Sequence, residues 1–347
     1  MTQVSRRPWG THQGKDIYLF SIVNSAMRVT VANYGALLQS FFIEDTSGKP
    51  SDIVLGYDSL GEYLSDPFFF GAMIGPIADR IENGKFTLSN QSVVLPLNAG
   101  PDTMHSGPCG FHSQVWDWMM LSDGVVFKRS FSERALGFPG KLQVKLTYRI
   151  AQQNTLRLEY EAECSKETAL SFTNHSYFNL DNAKQDCRNH ILTVFADTYA
   201  ETFRNHDPLV TGRFVNVHNT PFDFRKGEQV ENAITQIENR EIRSSNGVDH
   251  YFPVNGTGFR NAAMLLSIQS GLRLTCRTDA EGILIYTGNG ITQIPGKLGK
   301  VYGPNWGVCM ETGRLPNAVN LDEHRRQVIL HPSEVYRSAT EFLVEKM

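Results

Sequence analysis

The chain has 347 residues, 41% apolar and 20% charged, with a net charge of −3, the composition of a compact globular protein with a sizeable core. Its lysines and arginines are spread along the sequence, which excludes a basic stripe for nucleic acid and a polybasic anchor for a membrane and points to a small-molecule partner. Five cysteines (Cys109, Cys164, Cys187, Cys276 and Cys309) form an odd number with no CxxC pair, so the expectation is reduced thiols in a cytoplasmic protein, not a disulfide framework or a zinc site.

The first residues carry charge but no apolar stretch, unlike a secretory signal. The most apolar window, Pro67 to Ala78, is too short and too broken by Gly and Pro to span a bilayer. Met27, Val29 and Val31 alternate with their neighbours and run into the turn signal Asn33-Tyr34-Gly35-Ala36. Leu60 to Leu64 reads as a short helical turn. The period of two returns at Leu142, Val144, Leu146, Tyr148 and Ile150, and again, after a turn at Asn154, at Leu156, Leu158, Tyr160 and Ala162, which predicts a hairpin. Val230, Ile234 and Ile237 share one face of a predicted helix. Leu272, Leu274 and Cys276 alternate once more, and Ile283 to Tyr286 is a short apolar run closed by Thr-Gly-Asn-Gly. With 29 glycines and 15 prolines between such runs, the pattern is that of an all-β chain forming one large antiparallel domain over residues 1–347, a sandwich or barrel with few short helices.

Familiar catalytic signatures fail. Gly10-Thr-His-Gln-Gly-Lys-Asp has one residue too few for a phosphate loop, and there is no Gly-x-Ser-x-Gly, His-Glu-x-x-His or helix-opening Gly-x-Gly-x-x-Gly. Polar residues in unusual settings remain. His175, within Thr173-Asn-His-Ser-Tyr-Phe-Asn-Leu180, is able to exchange a proton near neutrality, with Asn174 and Ser176 placed to orient its ring. Arg80 follows an apolar run and suits a polyhydroxylated ligand, or else pairs with Asp79. His105 lies in a loop rich in Gly and Pro. Asp249 sits beside His250 and two rings, as a ligand or as a solvated turn residue. Glu311 follows an apolar stretch that would raise its pKa toward the range of a general base, unless Arg314 claims it.

The ordered fragments Asn33-Tyr-Gly-Ala, Asp52-Ile-Val-Leu-Gly-Tyr, Ala78-Asp-Arg-Ile, Met104-His-Ser-Gly, Thr173-Asn-His-Ser-Tyr-Phe-Asn-Leu, Val248-Asp-His, Tyr286-Thr-Gly-Asn and Glu311-Thr with Pro316-Asn-Ala-Val-Asn closely resemble the aldose 1-epimerase (galactose mutarotase) family. The match runs from about Trp9 to the C-terminus. The resemblance implies a galactose mutarotase-like β-sandwich with an open cleft for a free pyranose such as glucose or galactose. It implies no metal and no organic cofactor; the expected assembly is a monomer or homodimer. It makes Glu311 the general base, His175 the general acid, and Arg80, His105 and Asp249 sugar-binding residues. In that scheme Glu311 is ionised while His175 is protonated, and the pH profile is bell-shaped.

The chain departs from the family pattern at Pro76 and Ser106, near His112, and at Leu284 and Gly290, all close to the implied sugar contacts. An altered cleft would suit the reducing end of a disaccharide such as maltose. Other classes stay open: a glycoside hydrolase using Asp249 and Glu311, a non-catalytic sugar-binding module, or a metal site of His105, His175, Asp249 and Glu311.

Overall fold

The computed structural model describes residues 1–152, 154–204 and 208–347. Its largest element is a nine-stranded antiparallel sheet. In spatial order the strands are Asp117–Met120, Gly124–Phe131, Leu142–Gln152, Thr155–Cys164, Tyr336–Lys346, Leu272–Thr278, Arg260–Ser267, Ile191–Val194 and Glu228–Gln229. The predicted hairpin is present, with Leu142 opposite Cys164 and Ile150 opposite Leu156. Its alternation is the burial pattern: Leu142, Val144, Leu146, Tyr148 and Ile150 are buried, as are Leu156, Leu158, Tyr160 and Ala162. The other face carries cross-strand ion pairs, among them Arg157 with Glu341, Arg277 with Glu341 and Lys145 with Glu161.

Two smaller sheets cover the apolar face. One has five strands in chain order, Gln3–His12, Lys15–Val23, Met27–Ala32, Leu38–Glu44 and Pro50–Asp52. It packs through Phe20, whose ring lies 5.7 Å from that of Phe127. The other has four, ordered Tyr177–Phe178, Val308–Gly313, Gly282–Tyr286 and Asp249–Pro253, and packs through Phe178 on Phe342 at 4.8 Å. A bridge between Val54 and Phe178 joins the two small sheets edge to edge, which gives a sandwich with a composite upper layer.

A buried ion pair ties the five-stranded sheet to the loop at residue 297. The Lys297 ammonium donates to Asp52 Oδ2 at 2.7 Å and to the Gln39 carbonyl at 2.9 Å, while Asp52 Oδ1 accepts from the Phe41 N–H.

The described helices are short. Leu60–Leu64 is present with a capping box, the Ser59 hydroxyl accepting from the Glu62 N–H and the Glu62 carboxylate accepting from the Ser59 N–H. The helix expected through Ile237 stops sooner: it spans Val230–Ile234, and Ile237 is exposed beyond its end. Asn239 caps a separate helix there, Arg240–Ser245, which periodicity did not reveal. Within the glycine-rich segment around His105, Thr103–Met104 pairs with Arg80–Ile81 as a two-residue strand. No helix among the described residues is long and apolar enough to cross a membrane.

Removing the Lys297 ammonium strands the Asp52 carboxylate in the interior. Lys297→Met is therefore expected to lower unfolding free energy by about 3–5 kcal/mol in a denaturant titration, whereas a loss below about 1 kcal/mol would show that the pair is effectively solvated.

Candidate active site

The four-stranded sheet forms the floor of a cleft of about 280 Å³ lined by the five singled-out residues, with Asp79, Phe69, Tyr177, Leu284 and Tyr286 among their neighbours. Strand geometry explains the grouping. Residues two apart share a face, and registered partners on adjacent strands share it too. Cys309 pairs with Tyr177 on one side and Tyr286 on the other, and Tyr286 pairs with Asp249. Two residues along, Glu311 pairs with Leu284. One face thus presents Tyr177, Cys309, Tyr286 and Asp249 in a row, with Glu311 and Leu284 in the next.

His175 comes from the link between the short strands Thr173–Asn174 and Tyr177–Phe178. Its N–H donates to the Ala72 carbonyl and its carbonyl accepts from the Gly71 N–H, each at 2.9 Å. Asn174 and Ser176 do not hold the ring, contrary to the expectation from adjacency. The Asn174 amide donates to the Gly71 carbonyl and to Tyr148 Oη, and the Ser176 hydroxyl donates to Asn174, so both brace the backbone instead. The ring lies along the Val308–Gly313 strand, with Nδ1 3.6 Å from Cys309 Sγ and Nε2 3.5 Å from Glu311 Oε1. It is flanked by Tyr177 at 4.9 Å between centroids and by His105 edge-on at 5.2 Å.

His105 adopts a left-handed backbone (φ 51°) and interlocks with residue 79: its N–H donates to the Asp79 carbonyl, and its Nδ1 accepts from the Asp79 N–H at 3.0 Å. That second bond leaves the proton of the neutral ring on Nε2. Arg80 lies between two carboxylates, 3.6 Å from Asp79 and 4.0 Å from Asp249. The ion pair weighed for it is present, and the same residue lines the cleft. Asp249 is partly buried at the start of a strand and not in a solvated turn. Arg314 reaches Glu281 at 4.0 Å, so Glu311 is left facing His175.

Phe69 closes one wall with its edge toward His105 and His112, at 4.7 and 4.8 Å. Its left-handed φ of 58° is supported by Asp66, whose carboxylate accepts from the N–H groups of Phe68 and Phe70 on either side. Periodicity gave no sign of Phe69, Asp79 or Cys309. Of the unusual positions, Ser106 is structural, its hydroxyl accepting from the Ile77 N–H and donating to the Ile77 carbonyl, while Leu284 and Gly290 line the cleft itself.

Burial dominates the electrostatics. Desolvation, with the charges of Asp79 and Asp249 added, pushes the Glu311 carboxyl well above its usual range. Desolvation likewise lowers His175 to about 4 and His105 well below the ordinary imidazole value. Asp79 is raised to about 6 by burial, with Arg80 opposing. Burial therefore favours the neutral form of both members of the His175–Glu311 pair. That works against the ionised Glu311 and protonated His175 of the expected scheme, because burial penalises charge on both groups.

Ligand-capable atoms of His175, Cys309 and Glu311 lie within 4.8 Å of one another, a grouping other than the one weighed from sequence. Cys309 and Glu311 face different nitrogens of the ring, which makes a chain of three groups rather than a chelate.

An all-β sandwich whose cleft joins proton-exchanging groups to an arginine held by carboxylates defines an enzyme that handles small polar molecules. Comparison with known proteins specifies which. The aldose 1-epimerase family model matches residues 18–343. Galactose mutarotase of Sus scrofa is 34% identical over 327 residues, covering 93% of each chain, and aldose 1-epimerase of Escherichia coli (strain K12) is 32% identical over 326 residues, covering 92% of each. Among solved structures, an aldose epimerase homologue from C. elegans superposes with a TM-score of 0.88 at 26% identity, covering 95% of this chain and 99% of that one. A galactose 1-epimerase from Lactobacillus acidophilus gives 0.86 at 27%, covering 100% and 99%. The chain belongs to the aldose 1-epimerase family. It is an isomerase, and the family's reaction is the interconversion of aldose anomers.

The site makes a direct prediction. In ¹⁵N-histidine NMR, the resonances lost in His175→Asn should titrate near pH 4 in the wild type. A midpoint near the ordinary value of about 6.5 would show that the ring is not desolvated.

Proposed function

We propose that this protein interconverts the α and β anomers of free aldohexoses, glucose and galactose among them, with Glu311 as general base and His175 as general acid. Glu311 takes the proton of the anomeric hydroxyl. The C1–O5 bond breaks with its electrons going to O5, which receives a proton from His175. The open-chain aldehyde rotates about C1–C2, and reclosure on the other face returns both protons. The observation that carries this reading is the 3.5 Å approach of His175 Nε2 to Glu311 Oε1 on the floor of the cleft. Two groups that close together are able to serve two oxygens of one ring, both attached to the same carbon.

One proton shared by the pair is what the chemistry needs. Sugar hydroxyls that donate to the Glu311 carboxylate favour its ionised form, and the proton then resides on His175. The pair is inactivated when a second proton enters below about pH 4, where His175 titrates, and when its last proton leaves, at a pH that burial of Glu311 raises. The apparent constants belong to the pair and not to either residue. kcat/KM is therefore expected to follow a bell and fall at both extremes.

Arg80, His105 and Asp249 serve as sugar ligands in this reading. Arg80 and the Nε2–H of His105 donate to ring substituents, and Asp249 accepts from hydroxyls. Arg80 is the one lysine or arginine among the described residues lining the cleft, and Asp79 and Asp249 already flank it, which disfavours a sugar phosphate.

A second reading, action at the reducing end of a disaccharide such as maltose, is favoured by Gly290. This exposed residue lines the cleft, and a side chain added there would meet only the Tyr286 hydroxyl, which leaves the rim open.

Polarimetry on freshly dissolved α-glucose, α-galactose and α-maltose tests both readings. Glu311→Gln and His175→Asn should keep the fold and each lose about 10²- to 10⁴-fold in kcat. Retention of more than about a tenth of the rate by either would remove that residue from proton transfer. A kcat/KM for α-maltose equal to that for the monosaccharides supports the second reading, and a much lower one the first.

A further inference from the structure

Asp249 opens its strand facing the cleft, and the next residue, His250, points from the opposite face into the interior, where it is 1% exposed. There its ring packs on Phe222 at 4.2 Å and on Tyr199 at 5.7 Å. Both ring nitrogens are engaged. Nδ1 accepts the backbone N–H of Asp249 at 3.1 Å, so the proton of the neutral ring is on Nε2, which faces Glu241 Oε2 at 3.2 Å. Glu241 is itself buried. It accepts from the Thr202 N–H at 2.7 Å, the Thr202 hydroxyl at 2.8 Å and the Tyr199 hydroxyl at 3.1 Å. Those donors and His250 outweigh desolvation and hold it ionised, at about 2. An acceptor-only carboxylate against Nε2 fixes the tautomer, and the tautomer is what gives Nδ1 its free lone pair for Asp249.

We infer that Glu241 and His250 are positioning residues for the sugar-binding carboxylate: the chain Glu241–His250–Asp249 N–H sets the backbone from which Asp249 reaches Arg80 and the substrate. The inference rests on the reading of Asp249 as a sugar ligand. Neither Glu241 nor His250 lines the cleft, so their contribution is to binding geometry and not to proton transfer. A buried carboxylate–histidine pair of this kind is costly to desolvate, and a purely structural core position would be served as well by apolar side chains.

Two near-isosteric substitutions separate the functions of the ring. His250→Asn places Oδ1 where Nδ1 was and keeps the acceptor for the Asp249 N–H. His250→Gln places its amide near Nε2 and keeps the Glu241 contact while losing that acceptor. Both are measured by polarimetry beside Glu241→Gln, Tyr199→Phe and Asp249→Asn, with the fold of each checked by circular dichroism and thermal melting. The inference predicts that His250→Gln and Glu241→Gln raise KM roughly five- to tenfold with kcat within about twofold, and that His250→Asn recovers most of the affinity. Should His250→Gln fail to fold, Tyr199→Phe weakens the same carboxylate more gently and should raise KM about twofold. If Asp249→Asn raises KM while the His250, Glu241 and Tyr199 variants leave it unchanged, the positioning role is overturned and the ligand role of Asp249 stands. If Asp249→Asn leaves KM unchanged, the ligand role fails and the inference with it. Parallel loss of stability and kcat at constant KM would reduce the chain to a structural one and overturn the inference.

Discussion

The contact on which the site depends is that of one imidazole lying along one β-strand. His175 places Nδ1 by Cys309 and Nε2 by Glu311, two residues further on, because alternate residues of Val308–Gly313 emerge on the same face. A shift of register by one residue would turn both side chains into the core. The register is secured from both sides by Tyr177–Phe178 and Gly282–Tyr286, and the sheet is seated on the nine-stranded layer through Phe178 and Phe342. The large apolar core thus serves as the rigid base for a single ring–carboxylate contact.

Burial gives that contact its chemical character. A carboxyl in water is ionised at neutral pH and an imidazole is partly protonated, yet here both are driven toward their neutral forms by the same desolvation. A change in surroundings that offsets the loss of water at one member therefore bears on which of the two carries a proton. In the proposed mechanism a bound sugar supplies such a change, its hydroxyls donating to the carboxylate in place of water. Asp79 and Asp249 add to the raising of Glu311, so the carboxylates that flank Arg80 also bear on the Glu311 proton.

Strands and core were largely legible from the alternation of Leu142 to Ile150, Leu156 to Ala162 and Leu272 to Cys276, because one buried face per strand writes a period of two. The segment at 230–237 misled because Ile237 fits a helical spacing, although the backbone turns at Thr235. The five candidate residues converge on one cleft, yet sequence assigned the orienting of His175 to its neighbours Asn174 and Ser176. The groups that face its two nitrogens, Cys309 and Glu311, come from a strand more than 130 residues away, and adjacency in the chain carries no information about them. Phe69 was hidden within an apolar run, and its left-handed backbone follows from hydrogen bonds to Asp66 that no periodicity encodes. The penalty that burial places on both charges was not legible for a related reason: desolvation depends on the completed fold.

A structure determined with a slowly reacting aldose bound tests the central claim most directly. The account predicts the anomeric oxygen within hydrogen-bond distance of Glu311 and the ring oxygen within hydrogen-bond distance of His175 Nε2, with hydroxyls on Arg80 and Asp249. A sugar bound with its anomeric carbon away from both Glu311 and His175 would contradict it.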